Sequence, residues 1–287
     1  MFDIKQVYEP MCLKSALEIY QNNPHLTIIA GGTDVLINLR HGKYEEVELL
    51  SLQKIKGLDE IKILEDGTIE IGALTTFTKI FRNDIINKHV PILAEAAVSM
   101  GGPQIRNIAT IGGNICNGAV SADSAPALFT LNALLYLETA NASRTIPITE
   151  FYAGPGRVKL QPGEILTKIL ITKDNYENFK GKYFKFSNRK AMDIAMIGVA
   201  VLLNTTDNKV NDLRIALGVS APTPIRCQEA EKTSLGLELT EENMKRISEL
   251  TILDAKPRDS WRGSKAYREH LIKVLTYRAL RELRGNK

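Results

Sequence analysis

The stretch Ile28-Ile29-Ala30-Gly31-Gly32-Thr33-Asp34-Val35 carries the reading of this 287-residue chain. Thr27–Ala30 reads as a short apolar strand and Gly31-Gly32 as a tight turn. A helix starting at Thr33 or Asp34 then carries Val35, Leu36 and Leu39. Strand, turn and helix start in that order aim several free backbone N–H groups at one spot, where the helix dipole adds positive potential. Such a spot suits phosphate. A second pair, in Thr110-Ile111-Gly112-Gly113-Asn114, reads as another loop of exposed amides. Two such loops could clamp the two phosphates of a dinucleotide pyrophosphate from both sides. A Gly-Gly after a strand also serves as a plain turn, and both readings stand at this point.

Outward from the first loop, Leu13, Ala16, Leu17 and Tyr20 share a helical face, and Val47–Leu52 reads as the next strand. Ile61–Leu64 and Thr68–Leu74 flank Glu65-Asp66-Gly67, a hairpin signal because Asp-Gly tolerates positive φ. Residues 92–100 suggest a short apolar helix, and 125–138 pass from helix into strand at Leu134–Glu138. A second unit begins near residue 178. Tyr183–Ser187, Ala195–Leu203 and Leu213–Val219 read as three strands, the last two joined by a turn at 206–209. Thr240 reads as a helix N-cap, and 264–284 as one long helix with Tyr267, Leu271, Val274 and Leu275 on its apolar positions. Strands followed by terminal helices predict a small α+β layer.

The bulk properties narrow the function. At roughly 100–200 residues per domain, this length predicts two domains. With 44% hydrophobic and 24% charged residues, and a mean hydropathy of −0.11, disorder, collagen and coiled coil are poor readings. No run of eighteen apolar residues exists, so no membrane partner is expected. Met-Phe-Asp-Ile-Lys-Gln lacks the basic start and apolar core of a secretory signal, and a cytoplasmic location is expected. The net charge of +4 is spread along the chain apart from a basic excess after Arg258. That segment reads as a solvated helix face, with no nucleic-acid partner. Cys12, Cys116 and Cys227 are too few for an iron–sulfur cluster or a closed zinc site, so any metal chemistry belongs to another chain.

Other fingerprints fail. The Gly-Lys pairs at 42–43 and 181–182 are preceded, five residues before each glycine, by Ile37 and Tyr176, so there is no P-loop. Gly154-Pro155-Gly156 ends on Lys159 where a dinucleotide motif needs its third glycine. The histidines at 25, 41, 89 and 270 form no metal motif, and Ser220 lacks the second glycine of a nucleophile elbow. Asp123 reads first as a helix N-cap. Lys185, between Phe184 and Phe186, faces away from them on a strand, either into solvent or into a cleft.

Together, Ala30-Gly31-Gly32-Thr33-Asp34 and Gln104-Ile105-Arg106-Asn107-Ile108-Ala109-Thr110-Ile111-Gly112-Gly113-Asn114 resemble the FAD-binding subunit of molybdenum hydroxylases. Phe184–Ala195 resembles the start of that subunit's C-terminal domain, and Ser264-Lys265-Ala266-Tyr267-Arg268 its closing helix. Within the family, Cys116–Pro126 and Ala221–Cys227 are most similar to bacterial xanthine dehydrogenase.

The resemblance implies an α+β FAD-binding fold of the vanillyl-alcohol-oxidase (PCMH) type over 1–176, in two lobes of about 1–54 and 55–176. A C-terminal α+β domain, a three-stranded sheet plus helices, would follow over 177–287. It implies that Ile28, Ile29, Ala30, Gly31, Gly32, Thr33, Asp34 and Val35 wrap the FAD pyrophosphate, with Thr110, Ile111, Gly112, Gly113 and Asn114 as a second clamp. Asp123, Leu166 and Lys185 would lie near the flavin, Lys185 offsetting negative charge on its reduced form. Partners would be a molybdopterin-binding large subunit and a small subunit with 2Fe-2S clusters. NAD would take the electrons, and this chain would hold no hydroxylating site. Some relatives insert a four-iron cluster here, which three cysteines exclude. Two other readings remain open: a free-standing flavin reductase of the same fold, such as a relative of UDP-N-acetylenolpyruvoylglucosamine reductase, and a non-catalytic assembly module.

Overall fold

In the computed structural model, which describes residues 2–285, the chain builds three main sheets and one small hairpin. The first lobe holds β1 (Ile4–Tyr8), α1 (Leu13–Asn22), β2 (Thr27–Ile29), α2 (Val35–Arg40) and β3 (Val47–Ser51). Its sheet is parallel, in the order β1-β3-β2. Central β3 is covered on both faces, so its apolar residues Val47, Leu49 and Leu50 divide between the two sides. Leu50 packs with Ala16 and Leu17 of α1, while Val47 and Leu49 pack with Leu39 of α2.

The second lobe begins with the hairpin β4 (Ile61–Ile63) and β5 (Ile69–Gly72), whose turn places Gly67 at φ +85 as the Asp-Gly signal requires. A run of short helices follows: α3 (Phe77–Arg82), α4 (Asp84–His89), α5 (Pro91–Ser99), α6 (Pro103–Arg106), α7 (Ile111–Cys116) and α8 (Ser124–Thr130). Then come β6 (Leu134–Glu138), β7 (Ser143–Pro147), α9 (Ile148–Phe151), the small hairpin β8 (Tyr152–Gly154) and β9 (Arg157–Val158), and β10 (Ile165–Ile171). The sheet is antiparallel, in the order β4-β5-β10-β6-β7.

The third lobe is an antiparallel sheet of β11 (Lys180–Phe186), β12 (Ile197–Thr206), β13 (Lys209–Gly218) and β14 (Ile225–Arg226). The fourth strand adds to the three expected; at two residues it is too short for any periodicity to reveal. The β12–β13 turn puts Asp207 and Asn208 at φ +50 and +63, a conformation these two side chains tolerate. Helices α10 (Gln228–Ser234), α11 (Glu241–Leu250) and α12 (Lys265–Arg284) cover one face. Thr240 and Ser264 cap the last two through their side-chain oxygens, Thr240 as read from the sequence. On α12, Leu271 and Leu275 are buried with Ile272, Ala279 and Leu280, and Val274 is half-buried. Tyr267 stays exposed, edge-on to Phe186 with ring centroids 6.2 Å apart.

The opposite face of this third sheet packs on the second lobe. Val199, Val201 and Leu203 of β12 point to the terminal helices, whereas Ala200 and Leu202 join the second lobe's core with Tyr183. Two guanidinium groups fasten the junction at the C-terminal end of α8. Arg214 donates to Thr130 O at 3.3 Å and Arg226 to Phe129 O at 3.1 Å, meeting last-turn carbonyls at the negative dipole end of that helix.

Candidate functional site

A cleft of about 710 Å³ is lined from all three lobes, a size typical of cofactor sites. The first lobe contributes Ile28 and Ala30 through Val35. Here the expected row of free amides takes form. Among the described residues, no backbone acceptor meets the amides of Gly31, Gly32, Thr33, Asp34 or Val35; the first bond of α2 is Leu36 N to Gly32 O at 3.0 Å. Ala30 O is taken by Gln53 Nε2 at 2.7 Å, which fixes the turn from behind. Five consecutive unspent N–H groups bordering a cleft suit a polyanion such as a pyrophosphate.

The second glycine pair differs from expectation. Thr110–Asn114 is the start of helix α7, and its amides are spent inside the protein. Ile111 N donates to Thr75 O at 3.0 Å, Gly112 N to Ala73 O at 2.8 Å, Gly113 N to Thr110 Oγ1 at 3.2 Å and Asn114 N to Thr110 O at 3.0 Å. The loop of exposed amides is therefore absent. Thr110, Gly112, Gly113 and Asn114 still line the cleft as a small-residue wall. Gly112 is required by packing, because a Cβ there would lie 2.7 Å from Ala73 O. Ile29 and Ile111 turn away from the cleft: Ile29 packs beside Leu39 and Leu49, and Ile111 is fully buried in the second lobe.

The two glycine segments touch. A Cβ on Gly31 would stand 1.9 Å from Ile108 O, so only glycine lets the first-lobe turn lie against residues 108–109. This contact fixes the amide row opposite the α7 wall, giving Gly31 a packing role as well as a free amide.

Deeper in the cleft, Asp123 occupies the N-cap position of α8 but makes no cap bond there. Its carboxylate accepts instead from Lys185 Nζ at 2.8 Å, and Lys185 also donates to Ser99 O at 3.1 Å. Both side chains are buried. Burial pushes the Asp123 carboxyl up to about 6, with Lys185 and then Tyr183 pulling it back. Lys185 thus faces inward, since the third sheet has no solvent face at this point. Tyr183, two residues earlier and so on the same strand face, reaches Asp123 Oδ1 at 3.5 Å. Asp123 lines the cleft and Lys185 stands behind it.

Leu166 lines the cleft with Leu160 and Ile165. This wall hangs on Glu164, whose oxygens accept from Arg144 at 2.5 and 2.8 Å and from Gln161 N at 2.7 Å. The Arg144 hydrogen bonds hold the Glu164 carboxyl below its usual range. The remaining wall was missed by the sequence reading: Arg189, Met192, Asp193 and Ile194 before β12, and Trp261 with Arg262 before α12. These lie in irregular segments without periodicity. The one usable signal was that Trp261 is the chain's single tryptophan, set in its most basic stretch. Among the described residues, no group of three metal-ligating side chains forms, and no helix is long and apolar enough to cross a membrane.

A row of unspent amides and a three-lobed cleft around an inward-facing ion pair define a nucleotide-cofactor-binding α+β protein. Residues 2–173 match the family described as the FAD binding domain in molybdopterin dehydrogenase, and residues 182–283 the CO dehydrogenase flavoprotein C-terminal domain. The chain belongs to the FAD-binding subunits of the molybdenum hydroxylases, and its α+β fold is theirs. It is 41% identical over 282 residues to the xanthine dehydrogenase FAD-binding subunit of Escherichia coli O157:H7, covering 98% of this chain and 97% of that one. The glyceraldehyde dehydrogenase medium chain of Sulfolobus acidocaldarius is 31% identical, with 94% and 95% covered. Among solved structures, a chain of carbon monoxide dehydrogenase from Hydrogenophaga pseudoflava superposes with a TM-score of 0.93 at 26% identity, over 99% of this chain and 98% of that one.

Proposed function

We propose that this chain is the electron-exit subunit of a xanthine-dehydrogenase-type complex. In this reading a large partner holds molybdopterin and hydroxylates the substrate. A small partner relays the electrons through 2Fe-2S clusters, and NAD+ receives them from FAD held here. The amide row at Gly31–Val35 is the observation that carries the flavin part, because five N–H groups without backbone acceptors border a cleft of cofactor size. The 41% identity to the Escherichia coli subunit supports the xanthine part. Relatives such as the glyceraldehyde dehydrogenase medium chain make aldehyde substrates the reading to test beside it.

The residues divide the work. Amides from Gly31 to Val35 would bind the pyrophosphate, with Ile28 and Ala30 shaping the approach and Ile29 anchoring the strand behind them. Thr110, Gly112, Gly113 and Asn114 would form the facing wall, whose small side chains admit an extended dinucleotide, with Ile111 anchoring it in the second lobe's core. Asp123 and Leu166 would border the ring system, and Lys185 would hold Asp123 in place while supplying positive charge. When bound, flavin accepts electrons singly and releases them as a hydride, which suits a junction between iron–sulfur clusters and NAD+. Excluding water and fixing charge around that group is this chain's own contribution.

The test is purification of the tagged chain from its native host, followed by a visible spectrum, identification of heat-released chromophore and of copurifying subunits. Xanthine-dependent NAD+ reduction by that complex is the expected result. A complex that reduces NAD+ with aldehydes and not with xanthine would move the chain to the aldehyde branch. A colourless chain that refuses added FAD would sink the flavin role.

A further inference from the structure

The third lobe reaches the cleft through a four-residue hairpin that the flavin reading leaves without a role. Ser260 and Gly263 exchange both backbone hydrogen bonds at 3.1 Å, leaving Trp261 and Arg262 at the tip, where both line the cleft. Arg268, buried in the first turn of α12, holds the hairpin from beneath. Its Nη2 donates to Ser260 Oγ at 2.8 Å, its Nε to Gly263 O at 3.4 Å, and its Nη1 to Met196 O beside β12. The Ser-x-x-Tyr-Arg motif that opens α12 thus has a structural purpose, because its serine caps the helix and its arginine pins the hairpin.

What the hairpin presents is unusual for a free surface. Trp261 is 81% exposed, and the Arg262 guanidinium lies 4.2 Å from its ring centroid, covering one face. Arg262 Nε is buried without a hydrogen-bond partner among the described residues. Burial, and then the like charge of Arg258 and Arg262, push the Arg268 guanidinium down, so three guanidinium groups share this corner. Of the neighbouring carboxylates, Asp259 accepts from Lys265 N at 2.7 Å and offsets part of the charge at Arg268, and Asp193 is tied to Arg189. A flat aromatic face beside a guanidinium whose Nε has no partner among the described residues matches a planar base joined to a phosphate.

We propose that Trp261 and Arg262 form an acceptor-side subsite that takes the adenine base and a phosphate of a nicotinamide dinucleotide. The base stacks on the open indole face and the phosphate meets Arg262. This rests on the reading that FAD fills the adjoining cleft and that NAD+ is the acceptor. The subsite adds recognition of the acceptor by the third lobe, at a place contiguous with the cleft yet outside its amide row.

Because Trp261 is the chain's single tryptophan, its emission reports on the subsite directly. The experiment titrates ADP-ribose, which lacks the nicotinamide ring, into the FAD-loaded full chain while tryptophan emission and flavin absorbance are followed together. Saturable quenching with flavin absorbance unchanged is expected, and Arg262→Gln should weaken it about tenfold. By calorimetry, Trp261→Phe should keep ADP-ribose binding, and Trp261→Ala should lose about tenfold. A yellow chain whose emission ignores ADP-ribose sinks the subsite and spares the flavin. A colourless chain that still binds ADP-ribose at Trp261 keeps the subsite and sinks the flavin. If Trp261→Ala releases FAD, the residue belongs to the flavin site and the proposal falls. A blue shift on assembly with partner subunits, without an ADP-ribose response, assigns the hairpin to an interface and overturns it.

Discussion

Lys185 Nζ donates to Asp123 Oδ2 at 2.8 Å across the junction of the second and third lobes, with the two side chains 9% and 6% exposed. Each charge depends on the other, because neither has water to replace its partner. Breaking a buried pair from one side typically costs about 3–5 kcal/mol, far more than the intact pair contributes. Lys185→Met should therefore lower the urea midpoint of the apo chain sharply, while Lys185→Met with Asp123→Leu should lose less than the two single variants combined. Strict additivity would show that the pair is not coupled. Lys185→Ala is expected to weaken FAD retention as well; unchanged flavin content and activity would remove its flavin role.

The same carboxyl predicts a pH dependence. Asp123 is pushed up to about 6 in the folded protein, against an ordinary value of 3.8. The folded state then holds the proton more tightly than the unfolded state. Its stabilising contribution is fully present below the ordinary value and is lost as pH rises through about 6. The difference in unfolding free energy between the apo chain and Asp123→Asn should change between about pH 4 and about pH 7 and be level above that. Parallel profiles would place the titration elsewhere.

Much of this fold is legible because its signals are local. Asp66-Gly67 and Asp207-Asn208 announce their turns, Thr240 announces its helix, and β12 carries no polar side chain from Ile197 to Leu203 because both its faces are covered there. The strand, turn and free amides of the first glycine loop are legible for the same reason. The second does not, because Gly112-Gly113 is a poor helix former. Only the carbonyls of Ala73 and Thr75, brought in by the β5–α3 connection, make α7 form there. Lys185 was ambiguous because Phe-Lys-Phe is also the pattern of a half-exposed strand. Its partner lies 62 residues away, on an element that no local pattern connects to β11.

Gly31 offers a test that separates packing from binding. A Cβ placed 1.9 Å from Ile108 O cannot be accommodated without moving backbone, since no flexible side chain is there to yield. Gly31→Ala should cost about 1–3 kcal/mol as overpacking and displace the amide row. Gly32→Ala is the milder control. At φ +74 it is strained, but its new Cβ would meet only the Leu36 and Ile29 side chains. Flavin content should fall more in Gly31→Ala than the loss in melting temperature accounts for. Equal flavin content in both variants would detach the contact with Ile108 from cofactor binding.

Arg144 controls the Leu160–Leu166 wall through Glu164, a carboxylate only 3% exposed. Arg144→Met would strand that charge and free the segment that carries Leu166. Because Arg144 itself is one-third exposed, water can enter, and the expected loss is about 2–3 kcal/mol. FAD affinity, measured by flavin fluorescence, should drop alongside it. Arg144→Lys keeps the charge but not the two-pronged contact, and should recover only part of the loss. Full recovery by lysine would mean that charge alone holds the wall.

The three thiols should separate by reactivity, and one of them should report on the cofactor. Cys12 is exposed, Cys227 is buried, and Cys116 borders the cleft with its thiol pushed up to about 12 by burial. The thiolate is the reacting species, so Cys116 is slow at neutral pH on chemical grounds before access is considered. Iodoacetamide labelling of the apo chain, followed by peptide mass analysis, should modify Cys12 first. Cys116 should follow slowly, and Cys227 only on unfolding, since burial pushes its thiol well up too. Adding FAD should slow Cys116 further and leave Cys12 unchanged, because only Cys116 lines the cleft. Labelling of Cys116 at the same rate with and without bound FAD would place the cofactor away from this wall.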